Sequence, residues 1–180
     1  MQYIVELDGE ILLFIQEFLR FEWLNPIVLF LTSLGDGGLI WIVLAALLLT
    51  QKKYQKAGVS MAVALLIGLL ITNVLLKNQI CRPRPYAAIP ELQSLTTASG
   101  WSFPSGHSTS SIAAAAAMFP RTPGWMGVSA LILAVLICLS RLYVGVHYPT
   151  DVICGALVGV LAAFCAGKIT EKLMGEKETA

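Results

Sequence analysis

Charge is what this sequence has least of. Only 13% of its 180 residues are Asp, Glu, Lys or Arg, while 57% are hydrophobic, and mean hydropathy is +0.76. That apolar share is well above a soluble domain's and points to a chain built for lipid. The net charge of +1 says little, because the distribution of charge matters more than its sum; no nucleic-acid partner is expected. Four cysteines are present, but Cys81, Cys138, Cys154 and Cys165 show no zinc-site spacing. Cys138, Cys154 and Cys165 lie in apolar runs, where cysteine acts as a small hydrophobe. The start, Met1-Gln2-Tyr3-Ile4-Val5-Glu6, has no basic segment, and acids follow at Asp8 and Glu10. No cleavable signal peptide is expected from it. Histidine is scarcest of all, with only His107 and His147.

Against that background the long apolar runs stand out. A spanning helix needs about 20 mostly apolar residues. Segments near 57–76, 124–142 and 150–168 meet this, and 37–50 is shorter but wholly apolar. Residues 105–119 begin polar and become Ala-rich, which suits a helix whose polar end faces protein or a water-filled cavity. Residues 10–20 are amphipathic and suited to the membrane interface. Residues 24–34 form a short apolar stretch set off by Pro26. The expected fold is all-α: one membrane-embedded bundle over residues 1–180, with about six embedded segments, residues 1–34 being the irregular part. Lys52, Lys53 and Lys56, then Arg121, then Lys168, Lys172 and Lys177 fall on one face if the segments alternate. The positive-inside rule makes that face cytoplasmic.

The same alternation gathers the remaining charges at the opposite face. Lys77 ends one segment, His107 opens the next, Arg141 ends another and Asp151 opens the last. Charge inside a membrane protein is costly, so these residues are functional candidates. Lys77, Arg84 and Arg141 form a cationic group suited to an anion, and phosphate matches arginine's fork of donors. Arg82 is a further candidate. Pro104-Ser105-Gly106-His107 reads as a helix start, whose free N–H groups and dipole also favour an anion. Gly106 permits close backbone approach, and the Ser105 hydroxyl can donate. His147 and Asp151 are four residues apart across Pro149, a residue suited to a helix's first turn. The carboxylate would fix one ring nitrogen and free the other as a nucleophile, with His107 as general acid. Cations alone would equally serve an anion transporter, but transport needs no ordered His–Asp pair. Asp36, in Gly35-Asp36-Gly37-Gly38, reads as a turn or cap residue. Asn73 reads as a partner for a neighbouring helix, and Tyr86, Trp101 and Phe103 as an interfacial aromatic belt.

Three motifs in order complete the reading: Lys77, six residues, Arg84-Pro85; Pro104-Ser105-Gly106-His107; and Ser140-Arg141, five residues, His147, three residues, Asp151. Together they resemble the signature of the type 2 phosphatidic acid phosphatase superfamily. No fixed position departs from it. The resemblance implies a metal-independent, cofactor-free lipid phosphatase whose motifs lie within 77–151. It implies that His147 becomes a phosphohistidine, that Asp151 orients it, and that His107 protonates the leaving group. It also implies that Lys77, Arg84, Ser105, Gly106 and Arg141 hold the phosphoryl oxygens. The expected partners are a membrane lipid phosphate and the bilayer. The expected setting is a bacterial inner membrane with the site facing outward. Undecaprenyl diphosphate is the first choice of substrate, followed by phosphatidylglycerol phosphate and phosphatidate.

Overall fold

The computed structural model describes residues 2–175, and Lys177 lies outside them. Helices are the only regular structure among the described residues. In order they are α1 (Gln2–Phe14), α2 (Asn25–Ser33), α3 (Leu39–Thr50), α4 (Gln55–Leu69), α5 (Lys77–Ile80), α6 (Pro85–Ala88), α7 (Gly106–Met118), α8 (Gly124–Tyr143) and α9 (Pro149–Gly175). A π-helical stretch, Leu70–Leu76, joins α4 to α5 without a loop. Another, Ile15–Leu19, extends α1.

Three helical stretches are long and apolar enough to cross a membrane: Lys52–Ala88, Gly124–Tyr143 and Pro149–Gly175. Helices α2 and α3 make a fourth when taken together, with a 44° bend between them. Asn25 meets Tyr143, and Thr32 meets Arg141 further down α8. Helix α2 therefore descends along α8 and α3 continues the descent, so the pair forms one broken pass. The expectation of about six embedded segments counted it as two. The break falls at Asp36–Gly38, where Gly37 and Gly38 hold φ of 60° and 70°, a conformation open to glycine at no steric cost.

Helix α7 is the centre of the bundle. Its 13 residues reach only about 20 Å, short of the roughly 30 Å of bilayer hydrocarbon. It tolerates a polar start because α4, α8 and α9 enclose it. Gly155 and Gly159 of α9 are the points of closest approach. A Cβ on Gly155 would lie 2.6 Å from the Ser105 carbonyl oxygen, and one on Gly159 would lie 2.8 Å from that of Thr109. The polar side chains of α7 find partners inside the protein. Trp41 Nε1 donates to Ser111 Oγ at 2.9 Å. Thr72 donates to Thr109 at 3.0 Å, and Thr109 to the Ser105 carbonyl at 3.0 Å. Ala113, Ala114, Ala115 and Ala117 pack the rest of the helix into the main core with Met61 and Ile137.

Helix α1 lies across the end of the bundle. Leu12 is buried with Leu92 and Tyr148, and Gln16 bonds the loop at Glu91 and Gln93. Phe14, Phe18 and Leu19 are exposed, giving the amphipathic face that residues 10–20 predict. At the opposite end Arg121 meets Gly167 and Glu171. Tyr86 departs from the expected aromatic belt. It packs beside the buried Val28, Tyr143, Val144 and Val146 and donates to the Ala98 carbonyl at 3.1 Å.

Candidate active site

The helix ends at the α1 side of the bundle converge on a cavity of about 740 Å³. Its polar end is lined by Asp36, Asn73, Lys77, Arg84, Gly106, His107 and His147. Ile42, Ala45, Ala46 and Leu49 of α3, with Ala62, Leu65, Leu66 and Leu69 of α4, line the rest. This apolar arm follows α3 from Ile42 to Leu49, roughly 10 Å at 1.5 Å per residue. Ile42, Ala46, Leu49, Ala62 and Leu66 are exposed as well as cavity-lining, so the arm between the two helices is open rather than sealed.

His147 sits in the short turn between α8 and α9, and Pro149 begins α9 as its first residue. The ring is 2% exposed. Its Nε2 lies 2.9 Å from Arg84 Nη1. Arginine has no acceptor atom, so Nε2 receives that bond with its lone pair and the ring proton sits on Nδ1. Nδ1 faces Asp151 Oδ2 at 3.4 Å and Ser102 Oγ at 3.5 Å. Burial, above all, pushes the His147 pKa down to about 3; repulsion from Arg84 and Arg141 adds to this and the Asp151 hydrogen bond opposes it. The ring is therefore neutral at physiological pH, with its Nε2 lone pair held by Arg84 at the edge of the cavity.

Asp151 is fully buried and its carboxylate is saturated. Oδ1 accepts from Arg82 Nη1 at 2.7 Å. Oδ2 accepts the Tyr148 N–H at 3.0 Å, the His147 ring and the Ser102 hydroxyl. Ser102 has no signal in the sequence beyond its place three residues before Ser105.

His107 stands in the first turn of α7, opposite the broken pass. Its Nε2 lies 2.9 Å from Asp36 Oδ1, which leaves Nδ1 for any other partner. Asp36 is thus more than a turn residue: the break between α2 and α3 presents its carboxylate to the ring. Gly35 backs directly onto the imidazole, where a Cβ would lie 2.6 Å from His107 Cδ2.

The expected phosphate-binding residues divide into two sets. Lys77 and Gly106 line the cavity, and a Cβ on Gly106 would be 3.9 Å from Lys77 Nζ. Lys77 makes no ion pair among the described residues. Asn73 also lines the cavity rather than serving only a neighbouring helix. Arg84 lines it too, while its donors hold the carbonyls of Gly100, Val146 and Ser99 at 2.8–3.0 Å. With the bond to His147, that leaves one of its five N–H groups free. Arg141 is buried behind the wall; Nη1 donates to Thr32 Oγ1, and Nε is buried with no partner. Ser105 is buried as the N-cap of α7, accepting from Ser108 N–H at 3.3 Å and Ser108 Oγ at 2.9 Å. Arg82 stands apart from the other cations. It does not line the cavity, and its guanidinium is held between Asp8 and Asp151, each at 2.7 Å.

The sequence pattern of the PAP2 superfamily matches residues 57–174. An undecaprenyl-diphosphatase of Sulfolobus acidocaldarius is 33% identical over 147 residues, covering 81% of this chain and 70% of that protein. Phosphatidylglycerophosphatase B of Bacillus subtilis is 29% identical over 170 residues, covering 86% of this chain and 79% of that protein. Among solved structures, the transmembrane PAP2-type phosphatidylglycerolphosphate phosphatase of Bacillus subtilis superposes with a TM-score of 0.79. That match is at 29% identity and covers 96% of this chain and 88% of the other.

Proposed function

This chain belongs to the PAP2 superfamily and is a membrane phosphatase acting on phosphate esters, and we propose that its substrate is a polyprenyl diphosphate, undecaprenyl diphosphate first among them. The observation that carries this reading is the two-part cavity. A cationic, histidine-bearing end adjoins an apolar arm open to lipid between α3 and α4, which suits a phosphate headgroup on a long hydrocarbon chain. Relatives named as undecaprenyl-diphosphatases support it. The likeness to phosphatidylglycerophosphatase B favours phosphatidylglycerol phosphate as the second reading.

In the proposed mechanism the phosphoryl group binds among Lys77, Arg84 and the N-terminus of α7 at Gly106, with Arg141 adding positive charge from behind the cavity wall. Arg84 Nη1 turns from His147 Nε2 to the phosphoryl oxygens, and the freed Nε2 attacks phosphorus. The N–P bond forms as the bond to the leaving oxygen breaks, and His107 passes a proton to that oxygen. Asp151, hydrogen-bonded at Nδ1, stabilises the positive charge that develops on the ring. Water then attacks the phosphohistidine and gives its proton to His107, and phosphate departs. The cations act mainly by electrostatic stabilisation of the transferring group, the dominant contribution in phosphoryl transfer. No step requires a metal. The positive-inside rule supports an inner-membrane orientation with the site outward, because Lys52, Lys53, Arg121, Lys168 and Lys172 lie toward the other end.

The test is turnover of a substrate panel by purified protein in detergent with chelator present. Polyprenyl diphosphate should give the highest kcat/KM, ahead of phosphatidylglycerol phosphate and phosphatidate. His147→Ala should abolish turnover and the acid-labile phosphoenzyme. Strict dependence on an added divalent metal, or activity retained by His147→Ala, would refute the mechanism; preference for a glycerophospholipid would refute the substrate.

A further inference from the structure

We propose that Asp8 of α1, acting through Arg82, is a positioning residue for the Asp151–His147 pair, an inference that rests on His147 being the nucleophile. Asp8 lies outside the segment that matches the family, which begins at residue 57. It is 2% exposed, although Leu7 and Glu10 beside it on α1 are exposed. Its Oδ2 accepts from Arg82 Nη2 at 2.7 Å, and its Oδ1 from the Thr150 backbone N–H at 3.0 Å. The Thr150 hydroxyl donates to the same carboxylate. Arg82 lies over the Tyr148 ring at 3.7 Å and passes its other nitrogen, Nη1, to Asp151 Oδ1 at 2.7 Å. One guanidinium thus joins a carboxylate of the N-terminal helix to the carboxylate behind the nucleophile.

The geometry gives this link a task beyond holding α1 down. Oδ1 of Asp151 is fixed by Arg82, and Oδ2 serves His147. Arg82 holds one side of the carboxylate, while Tyr148 N–H and the Ser102 hydroxyl hold the side that meets His147, so the Arg82 contact is one of the bonds that orient it. At 3.4 Å the Nδ1···Oδ2 contact is at the outer edge of hydrogen bonding, so a small rotation about the carboxylate makes or breaks it. Arg82 is partly exposed, at 17%. Without Asp8 its guanidinium loses the charged partner of Nη2 and is held only by Thr150 Oγ1, Asp151 and the Tyr148 ring, which loosens its hold on Oδ1. A partner one step removed from a reacting group typically changes activity by about 10–100-fold when lost.

The experiment uses the full chain in detergent with a soluble aryl phosphate, measuring kcat, KM and phosphoenzyme formation. Asp8→Asn should lower kcat by about 10–100-fold with KM little changed. Asp8→Glu should recover part of the loss. Asp8→Asn added to Arg82→Met should cost nothing further, because both cut the same link. Wild-type kcat in Asp8→Asn, or independent multiplication of the two losses, would overturn the proposal. Should Asp8→Asn fail to fold, Arg82→Lys reads the same step, since an ammonium cannot fork across two carboxylates; wild-type kcat there would overturn it equally. His147→Ala in parallel separates the two readings: its retained activity would sink the nucleophile assignment, and its inactivity beside a fully active Asp8→Asn would sink only the positioning role.

Discussion

Gly35→Ala is a small perturbation aimed at one catalytic proton. Gly35 has an ordinary helical φ of −84°, so alanine adds no backbone strain. What it adds is a methyl group 2.6 Å from His107 Cδ2 and 2.9 Å from Ile137 Cγ2. Ordinary contact begins near 3.4 Å, so the imidazole must retreat by about 0.8 Å along that contact. The ring cannot swing freely, because Asp36 holds Nε2 at 2.9 Å. Overpacking of this kind costs about 1–3 kcal/mol of stability. A displacement near 1 Å in a reacting group costs on the order of 100-fold in rate, or about 2.7 kcal/mol. The assay compares a lipid phosphate, whose alkoxide leaves poorly, with an aryl phosphate, whose phenolate leaves well. Gly35→Ala should lose about 100-fold on the first and much less on the second, since a good leaving group has little need of an acid. Equal losses on both substrates, in folded protein, would refute the general-acid role of His107. Wild-type activity on the lipid would refute the packing argument.

The apolar arm and the buried nucleophile give two more tests. Ala62→Trp fills the arm between α3 and α4 while touching none of the cations. It should raise KM for a polyprenyl diphosphate by about tenfold or more, some 1.4 kcal/mol, and leave aryl phosphate hydrolysis nearly unchanged; equal effects on both would exclude the arm as the chain-binding site. His147 has a pKa of about 3 when folded and about 6.5 when unfolded. As pH falls below about 6.5 the unfolded chain takes the proton first, so stability is lost progressively down to about pH 3. His147→Gln removes that titration, and its thermal inactivation should depend less on acid than wild type's; identical pH dependence would contradict the burial of a neutral ring.

Much of the site was legible because its chemistry uses residues that an apolar chain otherwise avoids. Two histidines, a few cations and one carboxylate stand out where 57% of residues are hydrophobic, and helix alternation brings them to one end. The spacing of His147, Pro149 and Asp151 determined that α9 starts at Pro149 with the carboxylate one turn behind the ring. The polar start and Ala-rich body of residues 105–119 determined an enclosed helix, because such a surface is intolerable in lipid. Those features depend on local periodicity and on the cost of burying charge, and both are written in the chain's order.

Other features depend on contacts between distant segments. Residues 24–34 and 37–50 read as separate apolar stretches; packing against α8 makes them one broken pass and turns Asp36 from a turn residue into the partner of His107. Arg82 sits in the same motif as Arg84, two residues away. Yet Arg84 reaches the cavity, and Arg82 is drawn off by Asp8, a residue 74 positions earlier. No periodicity links those two. The sequence by itself determined which residues are too costly to be in the membrane without a purpose. Only the tertiary structure decided which of them face the phosphate and which hold the others in place, because the direction of a side chain is set by the neighbours that satisfy its charge.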